Sequence, residues 1–293
     1  GFFHWQLDFA PVFGRGGFDL QVGNPPWVRP DSDVDALLAE GDPWWQLVDK
    51  PSESEKREHR TTTLLLPGIR DLTAAADSET VAARRFVSDP TNYPELDGLR
   101  PDLYRCFMCA TWSHGSNRGT IGLVHPETHL TDEKAGHLRE LTYPRLRRHW
   151  QFTNELMLFG EISHLVVYGI HVYGRPLPRP YFKTACALYH PDTVRDSLRH
   201  DGSGEAPGFK FEGHWDQRPH AQRIQTITDE TLTTWRDILD PDLQTPRQTR
   251  MLYTVNTDVA ETLRQMSKAA RLASLRLRFS QGWNETTDFR KGY

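Results

Sequence analysis

Four consecutive residues, Asn24, Pro25, Pro26 and Trp27, follow an apolar stretch and combine groups that could act on an amino group. The exocyclic amino nitrogen of a nucleobase is a poor nucleophile because its lone pair is delocalised into the ring. Two acceptors on its N–H bonds would draw it toward tetrahedral geometry, and the Asn24 side-chain oxygen and Pro25 carbonyl can supply them. Because Asn24 and Pro25 each precede a proline, both are biased to extended backbone, which aims the acceptors before a substrate arrives.

Trp27 adds a flat aromatic face on which a base could stack, an interaction worth about 1–3 kcal/mol per base. The amino edge of a base is hidden in a duplex, so the base must leave the helix before it can react. A flipped base calls for a second clamp, and Phe159, in the segment LMLFGEISHLVV before a strand, is the candidate. A phenylalanine of the hydrophobic core explains Phe159 equally well.

The strand that must deliver Asn24 is residues 18–23, which have strand composition and length. The glycines at positions 14, 16 and 17 invite comparison with a nucleotide-binding loop. Such a loop follows a strand and opens a helix, whereas these glycines precede a strand, so we predict a turn.

The residues after position 100 return to a regular alternation of helix and strand, which indicates an α/β fold. We predict a buried helix that begins at Pro101, a turn at 113–119, a strand at 120–126, a helix over 130–150 that Pro144 breaks, and a strand or hairpin at 162–174.

Residues 257–279 carry the most regular helical pattern of the chain, and Asp258 and Glu261 have capping-box spacing. The positive charges suit either a solvated face or a face that contacts DNA phosphates. The apolar stripe is Val259, Leu263, Met266, Ala270, Ala273 and Leu277, and the cations are Arg264, Lys268, Arg271, Arg276 and Arg278.

Composition excludes several classes of protein. The chain has 293 residues and a net charge of −4, so any nucleic-acid binding must use local patches. Three cysteines are too few for a disulfide framework and fit a reducing cytoplasm. Cys106 and Cys109 form a C-x-x-C without a second pair, so we predict buried helix cysteines and no metal site. No apolar run is long enough for a transmembrane helix, and no membrane partner is expected.

Asn-Pro-Pro-aromatic after an apolar strand resembles the catalytic motif of DNA adenine-N6 methyltransferases. The flanking FHWQLDFAPVF and GGFDLQVGNPPW are similar to large bacterial restriction-modification and phage-defence methylases, and so are DLYRCFM, GTIGLVHPETHLTDE and LFGEISHLVVYGI in the same order. The resemblance covers about residues 2–175, weakens through 180–260 and returns faintly at GWNETTDFRKGY. It implies that Asn24 and Pro25 hold the amino group, Pro26 stiffens the loop, and Trp27 and Phe159 flank an adenine flipped from double-stranded DNA.

The resemblance also implies a domain organisation, built on a partial Rossmann-like methyltransferase core with an insertion and an α+β C-terminal region. We predict a catalytic strand and loop at 1–28, an insertion at 29–100, the remainder of the core at 101–178, and a linker and helical region leading towards a target-recognition part at 179–293.

One departure from the family concerns the methyl donor, S-adenosylmethionine. In the family a glycine-containing cofactor loop precedes the motif, but only 23 residues precede Asn24 and none of them fits such a loop. We therefore expect the cofactor-binding residues upstream of Gly1, in a preceding segment or a second polypeptide, and weak or no cofactor binding by this chain. Two alternatives keep other classes open: methylation of protein glutamine or RNA by the same motif, and an inactive DNA-binding remnant.

Overall fold

The computed structural model describes residues 4–100, 102–275, 277–278 and 282–292. In this part of the chain no helix combines the length and apolarity that a membrane span requires. The strands are β1 (Phe18–Gly23), β2 (Gly115–Pro126), β3 (Leu146–Thr153), β4 (Val167–Tyr173), β5 (Tyr181–Leu188), β6 (Lys210–Phe211), β7 (His214–Trp215) and β8 (Gln225–Thr228). The helices are α1 (Trp5–Asp8), α2 (Ala10–Phe13), α3 (Val34–Ala39), α4 (Trp44–Leu47), α5 (Glu53–Thr63), α6 (Ile69–Ser88), α7 (Leu103–His114), α8 (Thr128–Thr131), α9 (Gly136–Thr142), α10 (Pro191–Ser197), α11 (Asp229–Leu239), α12 (Thr257–Met266) and α13 (Glu285–Arg290).

Six strands form one mixed sheet in the order β1-β2-β4-β3-β5-β8. The pairs β1–β2 and β3–β5 are parallel, and the other three neighbouring pairs are antiparallel. Among the described residues β1 has a partner on one side only, so it is an edge strand. The α/β class predicted from the alternation of elements is confirmed at this coarse level, and strands β6 and β7 form a separate ribbon.

The glycine-rich segment before β1 is a turn, as predicted, and it has a packing role. Gly17 has φ 110°, and a Cβ at this position would lie 2.4 Å from the His114 carbonyl oxygen. The glycine therefore lets the chain pass against the end of α7, and Phe18 pairs directly with Gly115 at the start of β2. The turn predicted at 113–119 is wrong, because α7 continues to His114 and β2 begins at the next residue, Gly115.

Helix α7 packs its apolar residues into the main core beneath the sheet, together with α9. Cys106 and Cys109 are both buried on α7, so the prediction of buried helix cysteines is confirmed. Pro101, the predicted first residue of this helix, lies outside the described residues. The helix predicted over 130–150 is wrong in its extent: the α-helical parts of this range are the end of α8 and the whole of α9, which ends at Thr142 before Pro144, and β3 begins at Leu146.

Residues 29–100 form helices α3 to α6 around a small cluster of their own, centred on Leu38, Trp45 and Ile69. The indole nitrogen of Trp45 donates a hydrogen bond to the Thr63 hydroxyl at 2.9 Å. Trp44 stacks on His59 with ring centroids 4.0 Å apart. Both tryptophans therefore pack within this segment, and its boundaries as an insertion stay a prediction.

Two features of the C-terminal part differ from the sequence prediction. The linker expected at the start of residues 179–293 is instead occupied by β5, which begins at Tyr181 and in which Phe182 is buried in the main core. The long helix expected over 257–279 ends at Met266, and its N-cap is Asn256, whose side chain accepts from the Val259 amide at 2.8 Å. The capping box of Asp258 and Glu261 is therefore wrong, and Arg276 lies outside the described residues.

Candidate amino-group site and a buried histidine cluster

The predicted site residues meet at one edge of the sheet. β1 and β2 run parallel, β4 runs against β2, and β3 runs against β4. The carboxyl ends of β1, β2 and β3 and the amino end of β4 therefore share this edge. Asn24 follows β1, and Phe159 lies in the connection between β3 and β4, so the topology brings two segments about 135 positions apart to one place.

Trp27 lies over the ends of two strands at this edge. Its indole nitrogen donates to the Val124 carbonyl of β2 at 3.2 Å. Its ring centroid lies 5.4 Å from that of Phe159 and 5.7 Å from that of Tyr168 in β4. The structure thus places Trp27 and Phe159 in contact, and both are half-buried at the rim of a core cluster that includes Tyr168.

Asn24 is held by Trp27 itself. The indole nitrogen also donates to Asn24 Oδ1 at 2.8 Å, three residues away along the loop. An amide oxygen has two lone pairs, so this bond leaves one of them for a ligand. Asn24 and Pro26 are exposed, while Pro25 is buried. Across the described segments no donor reaches the Pro25 carbonyl oxygen.

The loop that carries Phe159 is fixed from below by Asn154. The Asn154 side chain donates to the Phe159 carbonyl at 2.8 Å and accepts from its amide at 3.0 Å. Trp27 and Phe159 contact each other directly with an interplanar angle of 58°. A base between two parallel rings needs a spacing of about 7 Å, twice the contact distance of about 3.5 Å. The two rings, whose centroids lie 5.4 Å apart, would therefore have to become parallel and move apart to admit it.

The residues expected to bind the cofactor lie outside the part of the chain that the structure describes. The cofactor-binding residues are expected upstream of Gly1, and Gly1 itself lies outside the described residues. The described part of the chain begins at His4 and enters the short helices α1 and α2 before the glycine turn. The location of the cofactor-binding residues therefore stays a prediction.

A second cluster, which the sequence reasoning missed, lies on the other face of the sheet. Glu127, His149 and His171 are buried, and one potential ligand atom of each lies within 4.8 Å of the other two. We refer to these three residues as the buried centre. His149 and His171 face each other as a register pair of β3 and β4, and Glu127 follows β2. Histidines inside otherwise apolar strands could have indicated this cluster, but its three members lie far apart in the sequence.

The electrostatics of this cluster follow from its burial. Burial lowers the pKa of the His125 imidazole, which stacks on His171 at 3.9 Å, to about 4. The pKa of His171 is lowered in the same direction, first by burial and then by the neighbouring imidazoles. Both rings are therefore neutral at pH 7, with one ring nitrogen protonated and the other carrying a lone pair.

No protein-family model matches this chain, and no curated protein matches its sequence. Similar solved structures include the methyltransferase subunit of a type I restriction-modification system from Streptococcus thermophilus, at 14% identity over 36% of this chain and 23% of that one, with a TM-score of 0.29. A second, from work on assembly and conformational transition of a type I system, has 12% identity over 89% of this chain and 44% of that one, with a TM-score of 0.36. The M protein of the type I restriction enzyme EcoKI has 12% identity over 93% of this chain and 71% of that one, with a TM-score of 0.33. This chain thus spans 23% and 44% of the first two, and these TM-scores are too low to assign a fold family.

Proposed function

We propose that this chain carries the amino-group-binding half of a DNA methyltransferase, which transfers a methyl group from S-adenosylmethionine to the N6 amino group of a flipped adenine. The biological setting would be restriction-modification or phage defence. The observation that carries the proposal is the convergence of Asn24, Pro25, Trp27 and Phe159 at one sheet edge, in the order and chemistry of the Asn-Pro-Pro-aromatic motif.

The two acceptors that the chemistry requires are not saturated by hydrogen bonds within the described parts of the chain. Asn24 is exposed with one lone pair of Oδ1 unused, and the Pro25 carbonyl oxygen has no donor within the described parts of the chain. Together they would accept both N–H bonds of an amino group, which localises the lone pair on nitrogen. Trp27 would stack on the base, and Pro26 would limit movement of the loop.

The surroundings of the site suit a duplex in which one base has been flipped out of the stack. Beside Phe159, the loop exposes Leu156, Met157 and Leu158, with 44%, 48% and 44% of their surfaces accessible. Apolar side chains of this kind can enter a base stack and stabilise an opened duplex. The Arg29 side chain, 57% exposed and two residues beyond Trp27, is a candidate phosphate contact.

We propose that this chain does not hold S-adenosylmethionine by itself. At Gly17 the turn before β1 packs against the backbone of residues 114–116, which leaves no space for a cofactor at that position. The edge of β1 that has no partner strand among the described residues, with the exposed Leu20 and Val22, 66% and 78% accessible, suits pairing with a further strand. We propose that the methyl donor is held by a segment upstream of Gly1, or by a second polypeptide, seated against this edge.

The test is transfer of isotope-labelled methyl from S-adenosylmethionine to unmethylated double-stranded DNA, using the complete protein that contains this chain. We expect N6-methyladenine in the digested product and a loss of about 100-fold or more in rate for Asn24→Ala, as for removal of a preorganised polar group. Asn117→Ala, an exposed asparagine at the opposite end of β2, is the matched control and should retain activity.

The other outcomes distinguish the alternatives. Label recovered in protein glutamine or RNA instead of DNA would move the same chemistry to a different substrate. DNA binding without any transfer would favour an inactive remnant. Equal transfer by the wild type and by Asn24→Ala would show that the site has been misassigned.

A further inference from the structure

We propose that Glu127, His149 and His171, the buried centre, bind a single divalent transition metal ion, and that zinc is the best fit. The three ligand atoms lie within 4.8 Å of one another, and all three side chains are buried. The inference is independent of the proposed methyl transfer, because none of these residues belongs to the Asn24 loop.

His171 has the hydrogen-bonding pattern of a metal ligand. Its Nδ1 lies 3.1 Å from the Gly169 carbonyl oxygen, an acceptor, so this nitrogen carries the proton of the neutral ring. Its Nε2 then holds a lone pair, and it is buried with no hydrogen-bond partner among the described residues. Buried polar atoms are nearly always paired, so an unpaired imidazole nitrogen beside a carboxylate calls for a missing partner.

Glu127 and His149 are arranged around the same point and are supported from outside. Glu127 Oε1 is hydrogen-bonded to His149 Nε2, and Glu127 Oε2 accepts from Gln151 Nε2 at 2.9 Å. His149 Nδ1 lies 2.8 Å from the Thr184 hydroxyl. Metal-binding histidines commonly use their second nitrogen in this way, and ligating carboxylates are hydrogen-bonded in turn.

Gly169 keeps the space at the centre open. A Cβ at this position would lie 2.4 Å from His171 Cε1 and 2.5 Å from Glu127 Oε1. Because Gly169 lies two residues before His171 in β4, a side chain at position 169 would point to the same face of the sheet as His171. Any other residue would fill the position where the two ligands approach each other.

The donor set selects the kind of ion. Two imidazole nitrogens and one carboxylate oxygen suit zinc, whereas calcium and magnesium prefer sites made wholly of oxygen. The ligands come from the end of β2, from β3 and from β4, so one ion would join three adjacent strands. Tyr168, which contacts Trp27, lies on the opposite face of β4, so the ion would stabilise the sheet beneath the candidate site without touching it.

The test uses the intact chain, stripped with a chelator and then titrated with zinc sulfate. We expect one zinc per chain by elemental analysis and a higher melting temperature with zinc than without. Glu127→Gln and His171→Ala should abolish the stoichiometric binding, and Gln151→Ala, which spares the ligands, should weaken it roughly 10- to 100-fold. His190→Ala, a histidine with 42% of its side chain exposed, is the control and should bind zinc like the wild type.

A cobalt titration of the wild type does not depend on the folding of any variant. We expect the visible absorption of cobalt in a nitrogen- and oxygen-ligated site, saturating at one equivalent and displaced by zinc. A stripped chain that melts at the same temperature with and without zinc, and that gives no cobalt absorption, would overturn the proposal. Equal zinc binding by His171→Ala in its folded form would overturn it as well.

Discussion

The indole N–H of Trp27 should couple Asn24 energetically to the sheet, and Trp27→Phe tests this because it keeps an aromatic ring but removes the donor. In the native loop that donor serves Asn24 Oδ1 at 2.8 Å and the Val124 carbonyl at 3.2 Å. Asn24→Ala removes the shorter of these bonds, and the indole keeps its hydrogen bond to the Val124 carbonyl. In a Trp27→Phe background the same substitution has no bond left to remove.

The expected magnitude follows from these contacts. A neutral hydrogen bond contributes about 0.5–1.5 kcal/mol to the free energy of unfolding, and an exposed one lies toward the lower end. We expect Asn24→Ala to lower that free energy by about 0.5–1 kcal/mol in the wild type and by close to zero in Trp27→Phe. The contact area lost with the smaller ring is the same whether residue 24 is asparagine or alanine, so it cancels in the double-mutant cycle.

The assay is urea unfolding followed by far-ultraviolet circular dichroism, since fluorescence changes when a tryptophan is removed. The four proteins should share one m value, which keeps their free energies comparable. A parallel cycle with Asn117→Ala, an exposed asparagine far from Trp27, should be additive. If Asn24→Ala costs the same free energy of unfolding in both backgrounds, the indole does not hold Asn24, and its Oδ1 is not aimed before a substrate arrives.

Three further predictions concern packing, ionisation and capping. Gly169→Ala should lower the free energy of unfolding by about 1–3 kcal/mol, because its Cβ would lie 2.4 Å from the buried centre, whereas Gly122→Ala meets nothing within 4 Å and should be tolerated in the same urea assay. Burial raises the pKa of the Cys106 thiol from its ordinary 9.0 to about 12, so a thiol reagent at about pH 8 should label it only after unfolding. Because the unfolded thiol ionises first, the stability it contributes is complete below pH 9 and is lost as the pH rises to about 12. Asn256→Ala should cost about 1 kcal/mol as the N-cap of α12, and Asp258→Ala only a few tenths; equal losses in thermal melts would contradict this cap assignment.

Local patterns were sufficient for the elements whose signals are contained in a few neighbouring residues. The strand β1 and the loop after it follow from an apolar run that ends in two prolines, and the Gly17 turn follows from the order of glycines and strand. Helix α7 follows from an apolar run long enough to exclude a strand. The prediction of one helix over 257–279 was too long, because the apolar spacing continues past Met266 although α12 ends at that residue.

The arrangement of the sites required contacts that no local pattern encodes. The Asn24–Trp27 hydrogen bond depends on Trp27 lying over β2, and that depends on which strand β1 pairs with. The buried centre depends on the register of β3 against β4, since a shift of one residue would turn His149 away from His171. The prediction of no metal site considered the cysteine pair, and the candidate ligands are instead a carboxylate and two imidazoles from three strands.

Strand β4 connects the two regions, because its alternate residues serve opposite faces of the sheet. Tyr168 supports Trp27 on one face, and His171 with Gly169 forms the buried centre on the other. An ion at the buried centre would fix β4 against β2 and β3, and so fix the platform on which Trp27 and Asn24 rest. Loss of the ion should therefore lower methyl transfer through stability and loop order, whereas Asn24→Ala should lower it about 100-fold or more at a stability cost of only about 0.5–1 kcal/mol. Measuring the melting temperature beside methyl transfer separates these two effects, since a large fall in melting temperature should accompany the loss of transfer only when the ion is removed.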